Sequence, residues 1–263
     1  MSDETKDNVL VETTKAVVSD VYKDAFQPTL KAAGSIVALP LQIVDAALSG
    51  PKLWVAEKQY NYERTKELLA EKLKDVPPEK IVPPDNYVAV PALQQISYCF
   101  DSDELRDMYA NLLAASMHED KKWGIHPAFV DIIKQLTPDE AKLLKILPPS
   151  MYSSRPVIEV HLKNNDGYQI LYSNYTDIAD GVCENPQNIS AYIENLDRLK
   201  LIDLDMGRFL VDESQYERLK NSPTIRQITR DTLPDGYNYD YKNGSFRLSS
   251  FGLSFTKMCI LGE

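Results

Sequence analysis

The chain has 263 residues, 43% hydrophobic and 26% charged, with a net charge of −10 and a pI of about 4.9. That is the composition of an ordinary folded protein of one or two domains. An excess of carboxylates repels a polyanion unless a separate basic patch exists, so the totals argue against nucleic acid as a partner.

Residues 1–8, "MSDETKDN", are acidic and polar. They read as a disordered tail and not as a secretion signal, which points to the cytoplasm. Residues 9–76 read as an N-terminal helical array. Val9–Phe26 carries Leu10, Val17, Val18, Val21 and Ala25, and Leu53–Leu73 places Trp54, Val55, Tyr62, Leu69 and Leu73 on one stripe among alternating Glu and Lys. Between them, segment 30–50 holds thirteen uncharged residues, Ala32–Val44. A bilayer needs about twenty, and Pro40 would kink the helix, so a core helix is the plain reading. The sharper reading makes Ile36, Val37, Leu39, Leu41, Ile43 and Val44 a candidate membrane segment, released on a trigger to lie in the lipid interface.

Residues 77–91 contain five prolines, at 77, 78, 83, 84 and 91, and read as an extended connection, because proline removes an amide donor and disfavours the helical region before it. Residues 92–136 read as central helices. "DSDELRDMYANLLAASM" opens with Asp101 as N-cap and Glu104 three residues on, and turns Leu105, Met108, Tyr109 and Leu112 inward. "HPAFVDIIKQL" starts at Pro127.

Residues 137–263 read as a winged-helix-like unit. "TPDEAKLLKIL" has Thr137, Pro138 and Glu140 as cap, first-turn proline and capping-box partner. "RPVIEVHL" and "GYQILYS" have strand composition, and "YTDIADGVC" reads as a short helix. Asn185 and Pro186 then open a helix over "NPQNISAYIENLDRL". "LIDLD" and "RFLVD" flank Met206-Gly207 as a tight hairpin, the wing. "ESQYERLKNS" is helical, "LPDGYNYDYKNG" a polar aromatic loop, and "FRLSSFGLSFTKMCIL" a strand stub running into a helix. The fold class expected is mainly α: an N-terminal helical array followed by a C-terminal winged-helix-like α+β unit.

In that unit the helix after Asn185 turns Ile189, Tyr192, Ile193, Leu196 and Leu199 inward. Asn188, Ala191, Glu194, Asn195 and Arg198 face outward as a candidate partner surface. Residues 174–213 carry nine acids against three bases. A DNA-binding winged helix needs cations on helix and wing, since neutralising phosphates supplies most of its affinity. The module is therefore expected to contact protein.

No residue is assigned a catalytic, cofactor-binding or metal-binding role. His118 and His126 flank Glu119 and Asp120, but their spacing fits no common zinc motif, and His126 sits where a helix begins. Phosphate-loop, dinucleotide-fold and GxSxG patterns are missing from the sequence. Cys99, Cys183 and Cys259 form no CxxC pair and read as packed thiols.

The run "EKIVPPDNYVAVPALQQISYCFDSDELRDMYANLLAASM" through "HPAFVDIIKQLTPDEAKLLKIL", with the ending "LSSFGLSFTKMCI", resembles the abortive-infection alpha family of bacteria. The ending follows that family's G-x-x-F-x-x-x-C pattern at Gly252, Phe255 and Cys259. The resemblance covers roughly residues 30 to 260. It implies a role in phage exclusion and brings no catalytic residue with it. The function expected is a non-enzymatic phage-defence protein that acts through protein contacts, with a partner or with itself. The alternatives are a membrane-perturbing effector using segment 30–50 and a DNA-binding winged-helix regulator.

Overall fold

A computed structural model describes residues 59–96, 99 and 102–263. The expectations for the tail, the first helix and segment 30–50 lie outside these residues. The chain divides into two compact units, one built from described residues up to Gln135 together with Met258–Glu263, the other from Leu136–Lys257.

The first unit is helical: α1 (Gln59–Leu73), α2 (Asn86–Ile96), α3 (Asp103–Ser116) and α4 (Ala128–Lys134). Leu69 and Leu73 of α1, Ala92 and Ile96 of α2, Leu112 and Leu113 of α3 and Phe129 and Ile133 of α4 are all buried. Ser102 caps α3, its Oγ accepting from the Leu105 amide at 3.2 Å; the expected cap, Asp101, lies outside the described residues. The Pro-rich stretch departs from expectation. It forms a 3-10 turn at Pro78–Lys80, a bridge between Ile81 and His118, and then the first half of α2, with Pro91 inside that helix. Pro91 removes one bond to the Tyr87 carbonyl, on a solvent-exposed residue. Burying Val88, Ala89, Ala92 and Ile96 on one face outweighs that loss. The chain's end is tied to α3: Asn111 Nδ2 donates to the carbonyls of Cys259 (3.0 Å) and Ile260 (3.1 Å).

The second unit overturns the expected fold class. It contains α5 (Pro138–Ile146), β1 (Arg155–Asn164), β2 (Gly167–Tyr175), α6 (Ile189–Arg198), β3 (Ile202–Asp205), α7 (Ser214–Lys220), α8 (Pro223–Ile228), β4 (Asn238–Leu248) and α9 (Ser250–Phe255). The strands form one antiparallel sheet in the order β2-β1-β4-β3. This is an α+β arrangement, and there is no winged helix among the described residues. The segment Asp177–Val182 makes turns where a first helix was expected. The wing fails for a specific reason. The place beside β3 is taken by β4, with Ile202 opposite Leu248 and Leu204 opposite Phe246, so Arg208–Val211 joins no strand. Gly244 permits the crossover, since a side chain there would run into Met206 and the Asp205 carbonyl.

The "NYDYKNG" stretch, expected as loop, is the first half of β4 and pairs with β1 from Lys163–Asn238 to Val157–Gly244. Val157, Ile158 and Val160 of β1, Ile193 and Leu196 of α6, and Phe246 and Leu248 of β4 form the core of this unit.

Helix α6 ends in a left-handed turn. The Leu201 amide reaches back to the Leu196 carbonyl at 2.9 Å, and Lys200 takes φ +58°. Glycine adopts that conformation without the Cβ penalty. Lys200→Gly is expected to stabilise the protein by about 0.5 kcal/mol, the relief of strain exceeding glycine's unfolded-state entropy. An urea midpoint that falls on this substitution contradicts the reading.

Candidate protein-contact surface

Three elements assemble the surface: α5, α6 and the outer strand β2. The capping box at Thr137 is formed in full, with Glu140 N donating to Thr137 Oγ1 at 3.2 Å and Thr137 N donating to Glu140 Oε2 at 2.6 Å. The free oxygen of Glu140 accepts from Asn195 Nδ2 at 2.8 Å, which fixes α6 against α5.

The neighbouring Asp139 is buried and acts as a hub. Its Oδ1 accepts from the Glu184 amide (2.9 Å); its Oδ2 accepts from the Asn185 amide (2.9 Å) and the Tyr192 hydroxyl (3.0 Å). Lys142 Nζ lies 3.4 Å from Oδ1 and 2.8 Å from Glu184. Burial works to raise this carboxyl, but the two amides, Tyr192 and Lys142 outweigh it and hold it below the usual carboxylate range. Asn185 makes no side-chain cap of its own; the Asp139 carboxylate binds the entry to the helix instead. The sequence singles out Thr137, Pro138 and Glu140 here and passes over Asp139, since an acid in a first helical turn is an ordinary residue. Its partners stand some 45 to 53 positions away and leave no local signal.

Helix α6 buries Ile189, Tyr192, Ile193 and Leu196. Of the outward residues, Asn188, Ala191, Glu194 and Arg198 are exposed, and Asn195 is half-buried. Glu194 turns to β2, where Asn174 Nδ2 donates to it at 3.2 Å, and Asn195 bridges Glu140 and Arg198. The structure thus leaves four of the five facing solvent, while Glu194 and Asn195 also fasten α6. The Tyr172 hydroxyl donates to the Gln187 carbonyl at 3.1 Å, and the Ser173 and Ser190 hydroxyls lie 2.9 Å apart, so β2 and the polar side of α6 form one continuous surface.

Beyond that seam β2 is open. It lies at the edge of the sheet, and Tyr168, Ile170 and Leu171 are 62%, 48% and 36% exposed. No charged residue occurs from Gly167 to Tyr175. Within the sheet, His161 stacks on Tyr168 with ring centroids 4.4 Å apart and meets Glu159 at 3.0 Å. The sequence marked this strand but not its exposure, because an apolar run reads equally as a buried strand.

The histidines considered for chemistry accept local backbone hydrogen bonds, and the cysteines are at least partly buried. His118 Nδ1 accepts from the Asp120 amide and His126 Nδ1 from the Ala128 amide. Burial, and then the Asp139 charge, push the Cys183 thiol up to about 11; burial likewise raises Cys99 and Cys259. These thiols stay protonated at neutral pH and are poor nucleophiles. Among the described residues there is no cluster of three metal-ligating side chains, and no helix is long and apolar enough to cross a membrane. The candidate membrane residues Ile36, Val37, Leu39, Leu41, Ile43 and Val44 lie outside the described residues.

The model of the family described as abortive infection alpha matches residues 57–259. None of the curated proteins matches the chain. Among solved structures, an uncharacterized protein from the hydrocarbon-degrading marine bacterium Alcanivorax borkumensis SK2 aligns at 19% identity, over 53% of this chain and 94% of that one, with a TM-score of 0.33.

Proposed function

The chain belongs to the abortive infection alpha family, and from that premise we propose that it is a non-enzymatic phage-defence protein acting through contacts with other protein chains. The family's name supplies the link to abortive infection; the mode of action is our reading of the surface. The observation that carries it is the outer strand β2, whose Tyr168, Ile170 and Leu171 face solvent on an uncharged edge. Soluble proteins guard such edges with lysine, proline or a covering element, so an open apolar edge beside a helix is where a partner docks. The acid-rich stretch around α6 supports protein over nucleic acid as the partner.

The test is phage challenge of bacteria that express the full chain or its Ile170→Lys/Leu171→Lys variant. Both side chains are exposed, so circular dichroism and the melting temperature should stay close to those of the parent. An interface residue of this kind carries about 2 kcal/mol, near thirtyfold in affinity, and protection is expected to be lost. A folded variant that protects as well as the parent overturns the proposal.

A further inference from the structure

A second exposed apolar segment of the same unit belongs to none of the described strands or helices. Phe209 and Val211, in the run Arg208-Phe209-Leu210-Val211-Asp212, are 65% and 97% exposed. The segment is nonetheless pinned from the inside. The Arg208 carbonyl accepts from Ser245 Oγ at 2.9 Å, and the Leu210 amide donates to the Tyr216 oxygen at 2.8 Å. Tyr216 is itself buried and donates to the Gly244 carbonyl at 2.8 Å. Across the two planar trans peptides that flank Phe209, the inward Arg208 carbonyl and the inward Leu210 amide leave the N–H and C=O of Phe209 pointing outward. Among the described residues none hydrogen-bonds to them. The chain then bends at Val211, whose backbone groups likewise have no partner among the described residues, on its way into α7.

We propose that Arg208–Asp212 is a docking strand for a second copy of this chain, paired antiparallel about a two-fold axis at Leu210. The sequence is its own complement in that register. Phe209 of one copy faces Val211 of the other, and Phe209 presents the outward N–H and C=O that such a pair exchanges. Each such pair joins an aromatic to a β-branched side chain, a favourable cross-strand match. Arg208 faces Asp212 of the other copy at each end. Both are exposed; Arg208 has Asp205 only at 3.7 Å, and the Asp212 carboxyl is held low by Ser214 and Gln215, so it is ionised. In a chain of net charge −10, two copies approach most easily where opposite charges meet across an apolar strip. The segment has one free side, so the contact closes at two copies. A strand pair this short gives a reversible dimer, not an obligate one.

Sedimentation velocity on the full chain over a concentration series tests this directly. The parent is expected to shift from monomer to dimer. Arg208→Glu sets carboxylates against Asp212 and Asp212→Lys sets cations against Arg208, so each variant alone should weaken the dimer roughly tenfold or more. Mixed together they restore both opposite-charge pairs, and a heterodimer should form. Val211→Pro deletes an amide that bonds nothing within the described chain, and should also yield monomer while keeping the parent's circular dichroism. A parent that stays monomeric throughout, or a mixture of the two charge variants that does not associate, overturns the proposal. The readout is mass and not survival, so a dimer that forms while the β2 variant still protects bacteria separates this inference from the proposed function.

Discussion

Gly252→Ala should destabilise the second unit by roughly 4 kcal/mol and lower its melting temperature by about 15 °C. Helix propensity taken alone gives the opposite sign. Gly252 lies inside α9, where alanine is favoured by about 1 kcal/mol. The structure decides against propensity. A Cβ at 252 would sit 1.8 Å from the Leu201 carbonyl oxygen and 2.6 Å from its carbon, and both are backbone atoms that no rotamer change can move. That oxygen also accepts from the Ser249 amide at 3.1 Å, and the next residue, Ile202, begins the ladder opposite Leu248. Relief therefore requires α9 to lift from the end of β3, losing the bond and part of the burial of Phe255. Ser254→Ala, one turn position away and exposed, should leave the melt within about 0.5 kcal/mol of the parent. Thermal denaturation of both variants settles the sign, and an unchanged or raised melt for Gly252→Ala sinks this account of the close approach.

The same glycine shows how the resemblance seen in the sequence acquires a physical meaning. In the G-x-x-F-x-x-x-C ending, Gly252 allows a backbone to pass, Phe255 fills the core of the second unit, and Cys259 is buried in the first with its carbonyl held by Asn111.

Legibility followed the range of the interactions. The capping box at Thr137 is written within four residues and formed as expected. The inward face of α6 follows from the 3.6-residue period, and β1 and β2 from their composition, with Asn164 closing their hairpin through the amides of Asp166 and Gly167. Failures came where a distant partner decides. The stretch Asn238–Gly244 is rich in Asn, Asp and Gly, which are poor strand formers, and becomes strand because β1 lies beside it. Once β4 occupies the flank of β3, the segment Arg208–Asp212 loses its expected partner and the wing with it. The turn at Asp177–Val182 lost its expected helix, and with it the helix-turn-helix. Of the candidate surface, the outward residues of α6 could be read from periodicity. The exposure of β2 could not, because the sequence does not say which strand ends a sheet.

Asp139→Ala should cost about 3 kcal/mol, and Asp139→Asn nearly as much. Both carboxylate oxygens are in use, one facing the Glu184 amide and the other the Asn185 amide and the Tyr192 hydroxyl. Alanine leaves three donors unmet. Asparagine supplies one acceptor, and its NH2 must then point at another donor, so conserving shape does not conserve the network. The charge makes the effect depend on pH. In the unfolded chain an aspartate titrates near 3.9, and in the folded protein Asp139 is held lower, so the folded form binds this proton less readily. Its contribution is therefore complete above about pH 4 and is lost as pH falls through the folded value. Urea midpoints measured from pH 7 down to pH 3 should show the parent converging on Asp139→Asn at the acid end, because protonation gives the parent the same single-acceptor defect. Two curves that stay parallel across that range would show that the carboxylate's charge does not hold the entrance of α6, and that packing alone fixes it.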